Sequence, residues 1–406
     1  MNKREFIRWQ IKEWLPLLLG YGGITAIFYW LASYYGVDEF LSYSSRVASS
    51  VTPMIVICVF TFLATAFIPL AIFSYQTNRV RADFYDQIPL RDKELRRIRI
   101  LIVLISILVI FTIVFWVGIL LTYLHQVVLN HEAYRRLLER GADPNEFVPY
   151  YFQYVYYIPL FFLLVLGIVT HYFTCVFFLS LGNRVWDCIL LLVLGELLLN
   201  FALQAILFPA YVVYAETFSS SDSPFLRYIN DFMRLSFGFG YYLAVFLSFF
   251  SENIAKTPSD SSVPSLYQNS TQAAVFYINV IAFLLIGLIC AWLMLFVKKD
   301  PAGELAGKAG ARNRGIAWIP HLFMLFAGFV MAGATQLVIY SDGVLIVVFC
   351  FVLASWAVIY FLLLFASRST IRFAKQDWIR VAIVAGMVFL ICLSTGIAYG
   401  IMRSYR

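Results

Sequence analysis

The sequence predicts an all-α polytopic membrane protein with about nine transmembrane helices. Of the 406 residues, 62% are hydrophobic and only 13% are charged, and the mean hydropathy is +0.82. A soluble domain has about 25% charged residues, so this chain is too apolar for a water-soluble core. Its apolar residues are also gathered into runs of roughly 20, the length that crosses a bilayer as a helix.

Nine apolar runs are long enough to be spans. They lie at about 14–35, 53–75, 99–124, 153–180, 186–214, 273–297, 318–340, 343–367 and 379–401. A tenth run, 235–250, is short and interrupted by glycine, so we interpret it as a re-entrant or interfacial outer segment before span six. With the N terminus in the cytoplasm and nine spans, the inner segments and their boundary residues hold 21 of the 30 Lys and Arg residues. A tenth span would move the basic segment 298–317 outside, against the positive-inside rule.

These boundaries divide the chain into four parts. Residues 1–13 mix large apolar residues with charges, as in a helix lying at the cytoplasmic interface, although an ordinary charged flank has the same pattern. Residues 14–297 form a six-span unit with a long outer loop at 215–272. A basic cytoplasmic linker, 298–317, then leads to three further spans within 318–406.

A second outer loop, residues 125–152, joins spans three and four. Its first half has the spacing of a short amphipathic helix. Residues 141–144 ("GADP") are typical of the turn that ends such a helix.

A strongly charged segment, residues 79–99, joins spans two and three. Eleven of its 21 residues are charged, and seven of these are basic. Apolar residues recur every four positions from Val80 to Ile88 and form one stripe on a helix. Pro89 ends this helix, because the residue before a proline avoids the α region. Asp92 can then cap the helix that continues into span three.

The coupling segment, at about 80–95 and made of this short helix, the break at Pro89 and the first turn that follows Asp92, has two interpretations. As a positive-inside anchor it would only fix the topology of the chain. As a coupling helix it would be the folded cytoplasmic element through which a separate ATPase moves the spans of a transporter. Charge alone does not distinguish the two.

Span five carries a polar stripe inside the membrane. Glu196, Asn200 and Gln204 are spaced four residues apart and share one helical face. An ionised side chain at the bilayer centre costs about 2.5–3.5 kcal/mol, so such residues usually face protein or water. His171 in span four is a candidate partner of Glu196. The stripe lines a substrate path or a dimer seam, or it provides polar contacts between helices with Glu196 protonated.

Motifs for nucleotide, metal or covalent chemistry are not found in the sequence. Gly307–Lys308 is not a P-loop, because Gly303 is too close and Ala309 replaces the Ser or Thr that would hold magnesium. Neither HExxH nor GxSxG occurs, and the histidines and cysteines suggest no spaced metal-binding set. We therefore expect no catalytic residue, no metal and no cofactor on this chain. The six cysteines lie in or beside apolar runs, which favours buried thiols over disulfides.

The segment between spans two and three resembles a motif of ABC-2-type (type V exporter-like) permease subunits from low-GC Gram-positive bacteria. The motif commonly reads FxxxLPxxRxxL, and Phe84, Ile88, Pro89 and Leu95 match it. Asp92 stands where the family has arginine, so a role specific to that arginine does not carry over.

A second match follows span six. Many of these permeases have a basic pair and then SExAG, and here Glu304, Ala306 and Gly307 fit, while Gly303 replaces the serine. The resemblance covers nearly the whole chain through its order of spans, but its motifs are short.

The resemblance implies a permease subunit in a bacterial plasma membrane, driven by cytosolic ABC ATPase subunits that bind ATP and magnesium. It implies pairing with a second permease, identical or homologous, and export of peptides, antimicrobial compounds or lipids. The residues that it places in ATPase coupling are Arg81, Phe84, Tyr85, Ile88, Pro89, Arg91 and Leu95.

Two other function classes stay open from the residues themselves. An intramembrane enzyme acting on lipid-linked substrates would use Glu196 and His171. A sensor would bind a ligand with its outer loops. The net charge of +7 belongs with cytoplasmic loops that follow the positive-inside rule rather than with nucleic-acid binding.

Overall fold

Nine helices form the part of the chain that the computed structural model describes, which is residues 3–35, 51–73, 92–141, 143–144, 157–217, 238–239, 242–243, 270–297, 318–342, 345–368 and 375–404. The helices are α1 (Lys3–Tyr35), α2 (Val51–Phe73), α3 (Asp92–Glu139), α4 (Tyr157–Leu179), α5 (Val185–Thr217), α6 (Ser270–Trp292), α7 (Ile319–Asp342), α8 (Leu345–Arg368) and α9 (Lys375–Ser404). A π-helical turn, Leu293–Val297, continues α6.

The predicted all-helical, membrane-spanning character is confirmed. Seven helices of the described residues, all except α7 and α8, are long and apolar enough to cross a membrane. The described apolar stretches of α7 and α8 are shorter, Ile319–Ala334 and Leu353–Phe365. Each of the nine predicted runs corresponds to one helix.

The first helix corrects one prediction. α1 runs without a break from Lys3 through Pro16 to Tyr35, so residues 3–13 are its first turns and not a separate interfacial helix. Phe6 and Gln10 are both buried, and their packing against the bundle explains why these turns stay in line with the span. Charge marks where a helix leaves the apolar region, but it does not end the helix.

The third helix corrects a second prediction. α3 contains 48 residues and joins span three to the amphipathic stretch predicted as a separate helix within 125–152. No proline interrupts Asp92–Glu139, so nothing in the backbone stops it. At 1.5 Å per residue its length is about 72 Å, more than twice the roughly 30 Å hydrocarbon core of a bilayer.

The predicted end of this helix is confirmed at Gly141. Its φ angle is 68°, in the left-handed region that favours glycine after a helix. Its N–H donates to the carbonyl of Leu138 at 3.0 Å. Replacement by alanine is expected to destabilise the last turn by about 1–2 kcal/mol, because a Cβ is disfavoured at positive φ. Hydrogen exchange of the amides between Glu132 and Arg140 measures this loss.

Gly141→Asn is the matched control, because asparagine tolerates the left-handed region better than alanine does. Equal exchange in the two variants would contradict the assigned backbone strain.

Hydrophobic packing forms two main clusters. The larger joins α1 to α4 with the end of α6, and Tyr29, Phe115 and Ile168 are among its fully buried members. The second joins α7, α8 and α9 around Trp356, whose indole N–H donates to the carbonyl of Met324 at 3.0 Å.

The fifth helix packs against both groups of helices. Gly195 of α5 lies against the ring of Phe178 in α4, and Gly333 of α7 lies against Phe208 of α5. A Cβ at either glycine would overlap the facing ring, so the absence of a side chain permits the close approach. α5 therefore joins the first four helices to the C-terminal three.

Four described residues fall in the predicted re-entrant or interfacial segment 235–250: Gly238, Phe239, Tyr242 and Leu243. Phe239 and Tyr242 are buried, and the Tyr242 hydroxyl donates to the carbonyl of Leu163 in α4 at 2.7 Å. These four residues therefore lie between helices, and whether the segment is re-entrant or interfacial stays a prediction. The remainder of the segment is outside the described residues.

Candidate functional site

The predicted pairing of His171 with Glu196 is present in the structure. α4 places His171 and α5 places Glu196 so that Nε2 lies 3.2 Å from Oε1, with side-chain exposures of 1% and 11%. This contact lacks the alignment of a hydrogen bond. Neither carboxylate oxygen of Glu196 has a hydrogen-bond partner among the described residues. The two groups are close, but their contact leaves the carboxylate without a donor.

Thr65 of α2 contacts the other imidazole nitrogen of His171. Its Oγ1 lies 2.5 Å from Nδ1. The same hydroxyl is 2.9 and 3.0 Å from the carbonyls of Thr61 and Phe62. We assign His171 the tautomer in which one of these carbonyls takes the hydroxyl hydrogen and Oγ1 accepts from Nδ1–H. In neutral His171 the lone pair is then on Nε2, the nitrogen that faces Glu196.

Cys175 adds a thiol to this pair. It lies one helical turn after His171, and its Sγ is 3.3 Å from Nε2. One donor atom from each of His171, Cys175 and Glu196 lies within 4.8 Å of the others. The fold thus gathers nitrogen, sulfur and oxygen donors that can hold a metal ion, although the sequence analysis expected none.

Aromatic rings close one side of this polar cluster, which we define as Thr65, His171, Cys175 and Glu196. The ring of Phe62 lies nearly parallel to that of His171 with 5.1 Å between centroids, and Phe239 does the same at 4.2 Å. Both are apolar walls that exclude water. Electrostatic interactions inside the cluster are therefore stronger than they would be in water.

The rest of the predicted stripe lies beside this cluster. The side-chain amide of Asn200 donates to the carbonyl of Glu196 at 2.7 Å, and a Cβ at Gly238 would overlap that amide. Glu196 and Asn200 therefore contact each other and, through Gly238, the segment before α6; a substrate path or a dimer seam stays a prediction. Gln204 is half-buried one turn further on.

Thr65→Val is expected to destabilise the bundle by about 1–3 kcal/mol, because it leaves the buried Nδ1–H of His171 without its acceptor. The free energy of unfolding in mixed micelles, in the presence of a metal chelator, measures this loss.

Thr61→Val provides the matched control. Thr61 lies one turn away on α2 and is also buried, and its hydroxyl has no hydrogen-bond partner among the described residues. This variant is expected to be nearly neutral. Equal destabilisation by both variants would show that the loss does not come from the histidine.

Most of the predicted coupling residues lie outside the described part of the chain: Arg81, Phe84, Tyr85, Ile88, Pro89 and Arg91. Leu95 is described and is 5% exposed within the larger hydrophobic cluster. Leu95 therefore packs the first turns of α3 against the bundle, and its role in ATPase coupling stays a prediction.

The first turns of α3 are tied to other helices by arginine side chains that the sequence analysis did not single out. Arg97 donates from Nε to the carbonyl of Leu295 at 2.5 Å, and its guanidinium lies over the Phe296 ring at 4.8 Å. Both partners belong to the π-helical turn after α6. Arg99 lies over the ring of Phe6 in α1 at 5.6 Å.

Helix α4 also contacts the start of α3. The Tyr172 hydroxyl donates to the carbonyl of Ile100 at 2.9 Å. The start of α3 is thus joined to α1, α4 and the π turn, and we call this set of contacts the α3 joint. The signal in the sequence is that Arg96, Arg97 and Arg99 fall at the edge of an apolar run, where charges are expected to snorkel to the interface.

The chain matches no protein-family model, no curated protein and no solved structure. The seven described helices that are long and apolar enough to cross a membrane indicate a multi-pass helical membrane protein, and α4 and α5 of this protein hold a buried polar cluster.

Proposed function

We propose that this chain is the transmembrane permease subunit of an ABC transporter, an exporter driven by a separate cytosolic ATPase. The α3 joint is the observation that carries the proposal. A force on the predicted coupling helix would enter α3 at Asp92, five residues before Arg97. Because the joint fixes the start of α3 to α1, α4 and the π turn after α6, these elements would move together with α3.

The nature of the contacts supports this role. The Arg97 hydrogen bond is charge-assisted, a kind that contributes about 1.5–3 kcal/mol, and it ends on a π-helical turn. Such turns break the regular i→i−4 ladder and are frequent at functional sites. A bond from a charged side chain to this turn is able to hold two helices in register as they move.

The proposal includes nine transmembrane helices, with α7 and α8 completing the count. The N terminus lies in the cytoplasm, as the distribution of basic residues favours, and the membrane is the bacterial plasma membrane. ATP and magnesium bind to the partner ATPase. A second permease, identical or homologous, completes the transporter, and its substrates are peptides, antimicrobial compounds or lipids.

The alternative is an intramembrane enzyme that acts on lipid-linked substrates. The proximity of His171, Cys175 and Glu196 favours it. The aromatic rings of Phe62 and Phe239 argue against it, because they cover the imidazole where a substrate would have to approach. An activity that survives removal of every ATPase would support the enzyme.

The test is co-purification of the tagged chain from its native membrane in mild detergent, with mass spectrometry of its partners. We expect a stoichiometric ATPase with Walker motifs. The double variant Phe84→Asp and Ile88→Asp is expected to lose it, because both substitutions place a charge on the apolar stripe of the coupling helix.

Ala82→Asp adds the same charge on the opposite face of that helix and is expected to keep the ATPase. A folded chain that purifies without an ATPase would overturn the proposal. So would a double variant that retains its partner as well as Ala82→Asp does.

A further inference from the structure

We propose that His171, Cys175 and Glu196 bind a divalent transition-metal ion, Zn²⁺ by its chemistry, between α4 and α5. This site is independent of the proposed transport function. The sequence alone does not indicate the site, because only His171 and Cys175 are close along the chain and Glu196 lies on the next helix.

The donor atoms have the spacing of ligands around one ion. Nε2 of His171 lies 3.2 Å from Oε1 of Glu196 and 3.3 Å from Sγ of Cys175. A tetrahedral zinc centre with bonds of about 2.0–2.3 Å separates its ligand atoms by about 3.3–3.8 Å. All three donor atoms lie within 4.8 Å of one another, so rotations of the Cys175 and Glu196 side chains would direct them at a common point.

The buried carboxylate and the neighbouring imidazole nitrogen of the cluster favour a bound cation. In the assigned tautomer Nδ1–H donates to Thr65, so the lone pair of Nε2 faces the Glu196 carboxylate, and two electron-rich groups cannot hydrogen-bond to each other. The Glu196 side chain is only 11% exposed, and neither of its buried carboxylate oxygens has a donor among the described residues. A metal ion between the two groups would satisfy both.

The set of ligands balances the charge of the ion. When Zn²⁺ binds, the Cys175 thiol releases its proton to solvent and becomes a thiolate. One thiolate and one carboxylate then neutralise the two positive charges, and the imidazole is neutral. A neutral centre avoids the large cost of burying a net charge. Imidazole, thiolate and carboxylate are the ligand types that zinc uses in proteins.

The surroundings resemble those of metal sites in general. A histidine that binds a metal usually donates its other ring N–H to a fixed acceptor, which orients the ring, and Thr65 does this here. Three protein ligands leave a fourth position for water or another group. Glu196 has 11% side-chain exposure against 1% for His171, so it marks the side from which an ion can enter.

The test uses the full chain with a tag that contains no histidine, purified in detergent and loaded with Zn²⁺ or Co²⁺ alone. We expect one Zn²⁺ per chain by elemental analysis and a rise in thermal stability. The Co²⁺ form is expected to show a thiolate-to-cobalt charge-transfer band. Cys175→Ser should abolish that band, and Glu196→Gln should abolish stoichiometric binding.

Cys290→Ser is the matched control. Cys290 is a buried thiol on α6 and is not one of the three proposed ligands, so its variant should keep both the band and the affinity. Thr65→Val keeps every ligand and is expected to lower zinc affinity by about 10–100-fold, the usual effect of removing an orienting partner.

The proposal is overturned if the wild-type chain binds no more Zn²⁺ than Cys175→Ser, or if the Co²⁺ form lacks a thiolate band. It is also overturned if Cys290→Ser loses the metal as completely as Cys175→Ser does. Monodisperse elution of each variant confirms that a loss of metal is not a loss of fold.

Discussion

Phe239→Ala is expected to lower the free energy of unfolding by about 3–5 kcal/mol, the usual cost of truncating a buried phenylalanine. The ring is 1% exposed and lies against His171 and Phe62 on one side and Phe283 on the other. Alanine would leave a cavity that neighbouring helices fill only in part. Denaturant titration in mixed micelles measures the change.

Phe162→Ala is the control for this prediction. Phe162 lies on α4 and is 63% exposed, so detergent or lipid already surrounds it and its removal should cost far less. A similar loss in both variants would mean that Phe239 does not pack inside the bundle. The same result would also remove the aromatic wall proposed for the polar cluster.

If the chain is the proposed permease subunit, Arg97→Ala is expected to lower substrate transport in reconstituted vesicles by roughly tenfold to a hundredfold, while the ATPase still co-purifies. The estimate follows from the loss of a charge-assisted hydrogen bond of about 1.5–3 kcal/mol, since 1.4 kcal/mol corresponds to a tenfold change. The expected signature is ATP hydrolysis that continues without proportionate transport, because the variant weakens the α3 joint and leaves the partner surface unchanged.

Arg140→Ala removes the same charge just beyond the other end of α3, where the side chain is exposed. Its transport is expected to match that of the wild type. If Arg97→Ala transports as well as Arg140→Ala, the α3 joint does not transmit force. If Arg97→Ala loses the ATPase altogether, the arginine acts in binding and not in transmission.

The helices were predictable from sequence because membrane spans depend on local composition. Twenty apolar residues specify a span wherever they occur, so all nine runs correspond to helices. The ends of the helices were harder to predict than their positions. Hydropathy records where side chains become polar, whereas a helix stops where the backbone cannot continue. α1 and α3 therefore run past the predicted boundaries, and Gly141 was predictable because its effect is on the backbone itself.

The polar cluster was predictable only in part. Neighbouring spans and unfavourable burial suggested that His171 and Glu196 meet, and they do. For Cys175 the sequence gives one indication, its position four residues after His171, but a buried cysteine is usually only a packing residue. For Thr65 the sequence gives no indication, since 106 residues separate it from His171 and threonine is common in membrane spans. Only the three-dimensional arrangement identifies it as the acceptor for Nδ1–H.

Because α3 is long and unbroken, a small tilt at one of its ends displaces the other end by a larger distance. The helix is about 72 Å long, and a bilayer with its headgroups is about 40–45 Å thick, so the helix is roughly 27–32 Å longer than the membrane is thick. A tilt of about 5° at Arg97 would carry the far end, near Glu139, sideways by about 6 Å for a rod of this length. A small rotation on one side of the membrane would therefore appear on the other as a displacement large enough for a distance probe to detect.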